Sequence, residues 1–148
     1  MIYSEIYELL TRIFPTLLRT KGIGESKIFS RVNMAFTVTL KVLEVHPTST
    51  IIALGSYYLL NNDEMADPEL IIRVYKEAKM AEVFSYQDCF GYQEVYSAAL
   101  VNIKAKKSLN QFCLRWLEEL TMLSNDDEQL KGSETGLVEN NKLISMAD

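Results

Sequence analysis

The stretch Phe36-Thr-Val-Thr-Leu-Lys-Val-Leu-Glu-Val45 decides the fold, because apolar and polar residues alternate along its first seven positions. A β-strand points successive side chains to opposite faces, so this alternation indicates a strand with one buried face. His46-Pro-Thr-Ser49 then supplies turn residues, and Thr50–Leu60 continues with β-branched and aromatic residues. The sequence therefore predicts an antiparallel hairpin.

The same turn predicts a register for this hairpin. If Val45 pairs with Thr50, a residue-by-residue count places Val42 opposite Ala53. In the same register, Leu40 would lie opposite Gly55 and Val38 opposite Tyr57.

Two further strands are predicted at residues 70–75 and 81–86, separated by a short turn. Residues 61–68, which read Asn-Asn-Asp-Glu-Met-Ala-Asp-Pro, are predicted to be a loop because they are rich in turn residues. The strand segments together indicate an antiparallel meander of about four strands.

Helical periodicity appears on both sides of the strands. Residues 6–18 carry apolar side chains at helical spacing, and Pro15 predicts a break into two short helices. A capping box that begins at Ser108 predicts the start of a second amphipathic helix, with Trp116 on its apolar stripe and Asn110 on its polar face. The sequence therefore predicts an α+β fold, in which N-terminal helices and a C-terminal amphipathic helix pack on the sheet.

Composition predicts one folded domain followed by a tail. The chain has 148 residues, of which 48% are hydrophobic and 24% charged, as is usual for a single globular domain. Periodicity fades after residue 123, so we expect a single domain at 1–123 and an acidic, flexible tail at 124–148.

The charge distribution argues against nucleic acid as a partner. The net charge is −5, and the last 25 residues hold six acids and two lysines, which leaves the domain near −1. Such a domain lacks the positive field that phosphate backbones require.

No apolar run approaches the roughly 20 residues needed to cross a bilayer, so no membrane association is predicted. The first residues, Met-Ile-Tyr-Ser-Glu, lack the basic start of a secretory signal, and we expect a cytoplasmic protein.

Few residues with metal-binding or redox chemistry are present. Cys89, Cys113 and His46 are the only cysteines and histidine, and their spacing provides neither a disulfide framework nor a cluster of metal ligands. The sequence thus predicts no metal site and no cofactor. It also lacks a nucleophile beside a base, so no catalytic residues are predicted.

Residues 67–83, which read Asp-Pro-Glu-Leu-Ile-Ile-Arg-Val-Tyr-Lys-Glu-Ala-Lys-Met-Ala-Glu-Val, carry a family resemblance together with residues 109–117, Leu-Asn-Gln-Phe-Cys-Leu-Arg-Trp-Leu. With them the chain resembles the YqiB-like family of small bacterial proteins, domain of unknown function 1249, over roughly residues 5–120. The resemblance implies a bacterial cytoplasmic protein and carries no particular activity.

The chain departs from the family pattern at three places. Lys76-Glu77 stands where the family has His-Asp, Tyr96-Ser-Ala98 where it has Tyr-Pro-Asn, and Ala105-Lys106 where it has an acid and a lysine. Lysine has a much higher pKa than histidine and is not a simple replacement for a histidine general base. The departures therefore disfavour one hydrolytic mechanism shared by the family.

Arg73, Tyr75 and Glu82 form the one candidate binding site. Arg73 and Tyr75 share a strand face, and the turn that follows brings Glu82 close to it. One reading is an arginine–glutamate ion pair with a tyrosine packed beside it, which stabilises the hairpin. The other is a binding surface, because the planar fork of arginine matches a carboxylate or phosphate.

We favour a small cytosolic binding or protein-interaction module without recognisable catalytic machinery, whose partner is a protein or a small anionic ligand. One alternative is an enzyme or small-anion-binding protein that uses Arg73, Tyr75 and Glu82. A further alternative is a secreted bacterial effector with a C-terminal export signal in its acidic tail.

Overall fold

The computed structural model describes residues 1–19, 29–33 and 36–126. The helix α2 extends to Asp126, so it includes the first three residues of the predicted tail, and residues 127–148 lie outside the described ranges. The elements in chain order are α1 (Ile2–Ile13), a 3-10 helix (Pro15–Arg19), β1 (Phe29–Asn33), β2 (Phe36–Val45), β3 (Thr50–Leu60), β4 (Asp63–Tyr75), β5 (Met80–Asp88), β6 (Gly91–Glu94), β7 (Tyr96–Ser97), β8 (Leu100–Val101) and α2 (Ile103–Asp126).

The strands β1 to β6 form one antiparallel sheet in sequence order, which confirms the predicted α+β fold and its meander. The sheet has five strands of at least five residues and the short edge strand β6, rather than four strands. The prediction missed β1 and β6 because both are short and lack regular alternation. β7 and β8 pair only with each other.

A β-bulge changes the register of the β2–β3 hairpin. The first pair after the turn is the predicted one, but Val42 lies opposite Ile52 instead of Ala53. The register shifts because Leu43 is an extra residue in β2, and nothing in the alternation marks it. The shift sets Leu40 opposite Leu54, and all four apolar partners of these two pairs are buried.

The loop predicted at residues 61–68 is wrong. Only Asn61 and Asn62 form a turn, and both have positive φ angles of 54° and 70°, as a two-residue hairpin turn requires. β4 begins at Asp63 and includes Pro68, which cannot donate a ladder hydrogen bond. Pro68 falls where the β3–β4 register shifts, so the strand continues past it.

The helices follow the predicted pattern at the N-terminal end and differ in α2. α1 ends before Pro15 and a 3-10 helix follows, which confirms the break. α2 begins at Ile103, five residues before the predicted cap at Ser108. Asn102 is the capping residue, because its Oδ1 accepts a hydrogen bond of 3.0 Å from the backbone N–H of Ala105.

Both helices pack on one face of the sheet and close a single apolar core. Trp116 is only partly buried and packs at the margin of this core against Phe112, with 6.0 Å between ring centroids. Asn110 is buried, contrary to its predicted place on the polar face of α2. The largest fully buried side chains are those of Phe14, Ile6, Leu10, Ile13, Leu17, Leu40, Ile52, Leu54, Leu70, Ile72 and Leu117.

Candidate functional site

The three predicted site residues lie together on β4 and β5. Arg73 and Glu82 are directly opposite each other in the register of the two strands. Ile72 and Val83, which neighbour them along the strands, are fully buried in the core beneath the helices. Since neighbouring residues of a strand point to opposite faces, Arg73, Tyr75 and Glu82 project from the face that turns away from this core.

Two tyrosine hydroxyls and a lysine hold the carboxylate of Glu82. Tyr75 donates a hydrogen bond of 2.9 Å to Oε1, and Tyr96 donates one of 2.7 Å to Oε2. The Nζ atom of Lys106 lies 3.9 Å from Oε2 and forms an ion pair with it. Both oxygens are therefore occupied, and only 16% of the Glu82 side chain is exposed.

The tyrosines act as hydrogen-bond donors at neutral pH. Burial, together with the hydrogen bond to Glu82, raises the pKa of Tyr75 to about 12. The pKa of Tyr96 is raised by the same two causes, and contact with the Tyr96 hydroxyl raises the pKa of Lys106. The cluster is thus a carboxylate stabilised by two protonated phenols and one ammonium group.

Arg73 meets this cluster at Tyr75, where its charge and a hydrogen bond to the phenol oxygen oppose the larger effects of burial and Glu82 on the pKa of Tyr75. Its guanidinium carbon lies 5.1 Å from the ring centroid of Phe84, a cation–π contact. Its Nε atom is buried and has no hydrogen-bond partner among the described residues. The ion pair between Arg73 and Glu82 that the sequence suggested is not formed, because other groups occupy the carboxylate.

A β-bulge in β5 positions Phe84. Ile71 pairs with Ser85 and Ile72 with Val83, so Phe84 is an extra residue between the two pairs. Its ring packs against Tyr96, with 4.8 Å between ring centroids. The bulge therefore places Phe84 between Arg73 and Tyr96, so that two neighbouring aromatic rings connect the arginine to the Glu82 carboxylate.

A pocket of about 380 Å³ adjoins the cluster at Lys106. The Lys106 ammonium group lies 5.8 Å from the ring centroid of Tyr3 and 5.5 Å from that of Tyr96. Lys106 therefore separates the Glu82 cluster from the pocket. The residues around the pocket include Ile2, Tyr3, Ile103, Lys106 and Lys107.

Sequence reasoning found Tyr75 and Glu82 of this cluster and the neighbouring Arg73, and it missed Phe84, Tyr96 and Lys106. Tyr96 is in β7 and Lys106 in α2, so both come from elements that neither strand pattern nor turn spacing connects with β5. In the sequence, Tyr96 and Lys106 were identified only as parts of two segments that depart from the expected family pattern.

Metal-ligand clusters and membrane-spanning helices are both absent from the described part of the chain. Residues 1–19, 29–33 and 36–126 contain no group of three or more histidine, cysteine, aspartate or glutamate side chains that could hold a metal ion. None of their helices is both long enough and apolar enough to span a membrane.

Fold and site together define a small α+β domain in which an antiparallel meander carries a tyrosine-bound carboxylate beside an arginine that forms no ion pair with a described carboxylate. The chain belongs to the DUF1249 family, described as proteins of unknown function, whose family model matches residues 10–125. This confirms the predicted family. Neither a curated protein nor a solved structure matches the chain.

Proposed function

We propose that this chain is a binding module of the bacterial cytosol that holds an anionic group on Arg73. The group is a carboxylate or a phosphate, carried by a small ligand or by a partner protein. The single observation that carries the proposal is that the Arg73 guanidinium forms no ion pair with a described carboxylate, although it lies beside an acid whose oxygens are already occupied. The bacterial cytosol is the compartment that the family resemblance favours.

The charge of Arg73 is available to a ligand. No described carboxylate lies within ion-pair distance of it. Glu82, the nearest acid in register, is bound by Tyr75, Tyr96 and Lys106. An anion on the outer nitrogens of the fork would add charge-assisted hydrogen bonds and neutralise the charge, whereas the buried Nε atom would keep its present surroundings.

The arginine is also held in place. Its cation–π contact with Phe84, and the packing of Phe84 against Tyr96, restrict the side chain before any ligand binds. Ordering a long side chain on binding costs about 0.5–1.5 kcal/mol, and a restricted side chain avoids part of this cost. Glu82 is then a positioning residue, because it binds Tyr96, which packs against the Phe84 ring that contacts Arg73.

The protonation states support binding over proton transfer. A general base works best when its pKa lies near the operating pH, whereas the pKa of Tyr75 is raised to about 12. The Glu82 carboxylate accepts a hydrogen bond at each oxygen and forms an ion pair with Lys106. Both carboxylate oxygens are therefore occupied by partners within the domain.

The experiment that tests the proposal is a set of NMR titrations with inorganic phosphate, acetate and a synthetic aspartate-rich peptide. We expect at least one of them to shift the amide signals of β4 and β5 in a saturable way. Arg73→Ala should abolish these shifts, and Arg73→Lys should weaken them because it keeps the charge and loses the planar fork. Arg115→Ala, a change at an exposed arginine of α2, is the matched control.

The outcomes distinguish the two sources of the anion. Binding of phosphate or acetate would identify a small-anion site, whereas binding of the peptide alone would identify a partner protein. Saturable shifts that persist in Arg73→Ala, or no shifts with any of the three probes, would overturn the proposal.

A further inference from the structure

A single phenylalanine stands out at the tip of the β5–β6 hairpin. Phe90 is 93% exposed, and its backbone N–H donates a hydrogen bond of 2.8 Å to Oδ1 of Asp88. The N–H of Gly91 donates to the same oxygen at 3.0 Å, and Tyr86 donates to the other oxygen at 2.8 Å. The tip is therefore a fixed turn that presents an aromatic ring to solvent, and we call it the Phe90 knob.

Acidic side chains surround the Phe90 knob. An open groove of about 870 Å³ lies beside it, and the carboxylates of Glu64, Glu69 and Asp88 line this groove. None of the described residues that line it is basic. Lys41 forms an ion pair with Glu64, so Glu69 and Asp88 carry the groove's unneutralised charge.

The pocket at Lys106 has the opposite character. Ile2, Tyr3 and Ile103 form apolar walls, and two ammonium groups lie at its border, that of Lys106, which is paired with Glu82, and that of the exposed Lys107. Ile103 is 77% exposed, which leaves a large apolar side chain in solvent at the start of α2. With a volume of about 380 Å³, the pocket can accept a phenyl ring.

The knob and the pocket lie at opposite ends of β5. Lys106 contacts Glu82 near the start of this strand, and Asp88 is its last residue. Six residues of β-strand span about 20 Å at roughly 3.3 Å per residue. A molecule with an acidic aromatic knob at one end and a basic apolar pocket at the other can bind a copy of itself head to tail.

We propose that the chain associates head to tail, with Phe90 of one copy in the Lys106 pocket of the next. The ring would be buried against Ile103, and the carboxylates beside the knob would face Lys106 and Lys107. Such a contact joins two different surfaces, so it adds further copies unless the rotation between them closes a ring. The proposal is independent of anion binding at Arg73.

The test uses sedimentation velocity on the full chain and two single variants. The wild type should show an average mass that rises with concentration up to about 1 mM, a range that includes weak association. Phe90→Ala removes the aromatic ring of the knob. Ile103→Asp places a carboxylate in the pocket, where it would repel the carboxylates beside the knob. Each variant should weaken association at least about tenfold. Met122→Ala, a change at an exposed apolar residue of α2, should associate like the wild type.

A mixture of the two variants identifies the geometry. Phe90→Ala keeps an intact pocket and Ile103→Asp keeps an intact knob, so equal amounts should form a one-to-one dimer that grows no further. Unchanged thermal melting of each variant would show that it is folded. A wild type that remains monomeric throughout, or two monomeric variants that do not combine, would overturn the proposal.

Discussion

Arg73 and Glu82 lie opposite each other on neighbouring strands, yet they form no ion pair with each other. The carboxylate accepts hydrogen bonds from Tyr75 and Tyr96, whereas the guanidinium stacks on Phe84. Adjacent opposite charges on a sheet usually suggest a stabilising pair. Here the two charges are not paired, so the contribution of each to stability can be measured by mutation separately.

The stability of this region should depend on the link between Glu82 and Tyr96. We expect a double-mutant cycle of Glu82→Gln and Tyr96→Phe to give a coupling energy of about 1 kcal/mol, since both groups are partly buried and share a short hydrogen bond. A cycle of Glu82→Gln and Arg73→Ala should give a smaller coupling. Free energies of unfolding from urea titrations provide both values. A larger coupling for the arginine cycle would contradict the arrangement.

Alkaline pH should destabilise the domain in part through Tyr75. Its pKa is about 12 in the folded protein and near the ordinary 10.0 when unfolded. The unfolded state therefore loses this proton first, so the contribution to stability is complete below pH 10 and is lost as the pH rises toward 12. We expect Tyr75→Phe to unfold with a shallower alkaline decline than the wild type.

The measurement is the free energy of unfolding at several alkaline pH values. Tyr58→Phe removes an exposed tyrosine and is the matched control, which should decline as the wild type does. Equal alkaline slopes for Tyr75→Phe and the wild type would refute the linkage.

Asn110 should be among the polar residues most important for folding. Its Oδ1 accepts a hydrogen bond of 2.9 Å from the N–H of Val83, and its Nδ2 donates one of 2.7 Å to the carbonyl of Lys106. Asn110→Leu would leave the Val83 donor buried without a partner, at a cost of about 1–3 kcal/mol. Gln111→Leu, at an exposed neighbour, should cost less. Chemical denaturation measures both, and similar costs would remove Asn110 from this role.

Sequence patterns predicted the secondary-structure elements of this fold better than the register in which the strands pair. Alternation identified the β2–β3 hairpin and the pair of strands that follows it. The positions of Leu43 and Phe84 were unpredictable, because a bulged residue leaves local composition unchanged while it shifts every later pair. Periodicity therefore predicted which segments are strands, whereas the bulges determine which residues pair across neighbouring strands.

The candidate site shows the same limit. Arg73, Tyr75 and Glu82 were predicted because a short turn joins their strands, so their proximity is a local property. Tyr96 and Lys106 reach the site only through the packing of β7 and α2, which depends on contacts distant in sequence. The sequence of either strand alone therefore does not predict that Glu82 binds the tyrosines while Arg73 contacts Phe84.

Removal of the tail should leave the domain intact. The prediction rests on residues 127–148, which lack aromatic residues and helical periodicity in the sequence. Truncation after Asp126, the last residue of α2, should lower the melting temperature by less than about 2 °C. A scanning-calorimetry comparison of the two forms tests this, and a loss of many degrees would show that the tail contributes to the core.

The start of α2 provides a matched pair of capping variants. Asn102 accepts a hydrogen bond from the Ala105 N–H, so Asn102→Ala should destabilise the domain by about 1 kcal/mol. Ser108 is exposed inside the helix, and its hydroxyl donates to the carbonyl of Ala105 at 3.4 Å. Because alanine is the better helix former at an interior position, Ser108→Ala should be neutral or stabilise by up to about 0.5 kcal/mol. The free energies of unfolding of both variants, measured in urea, decide between the observed cap and the one that the sequence suggested. If Ser108→Ala lowered the free energy of unfolding more than Asn102→Ala, the cap would be Ser108.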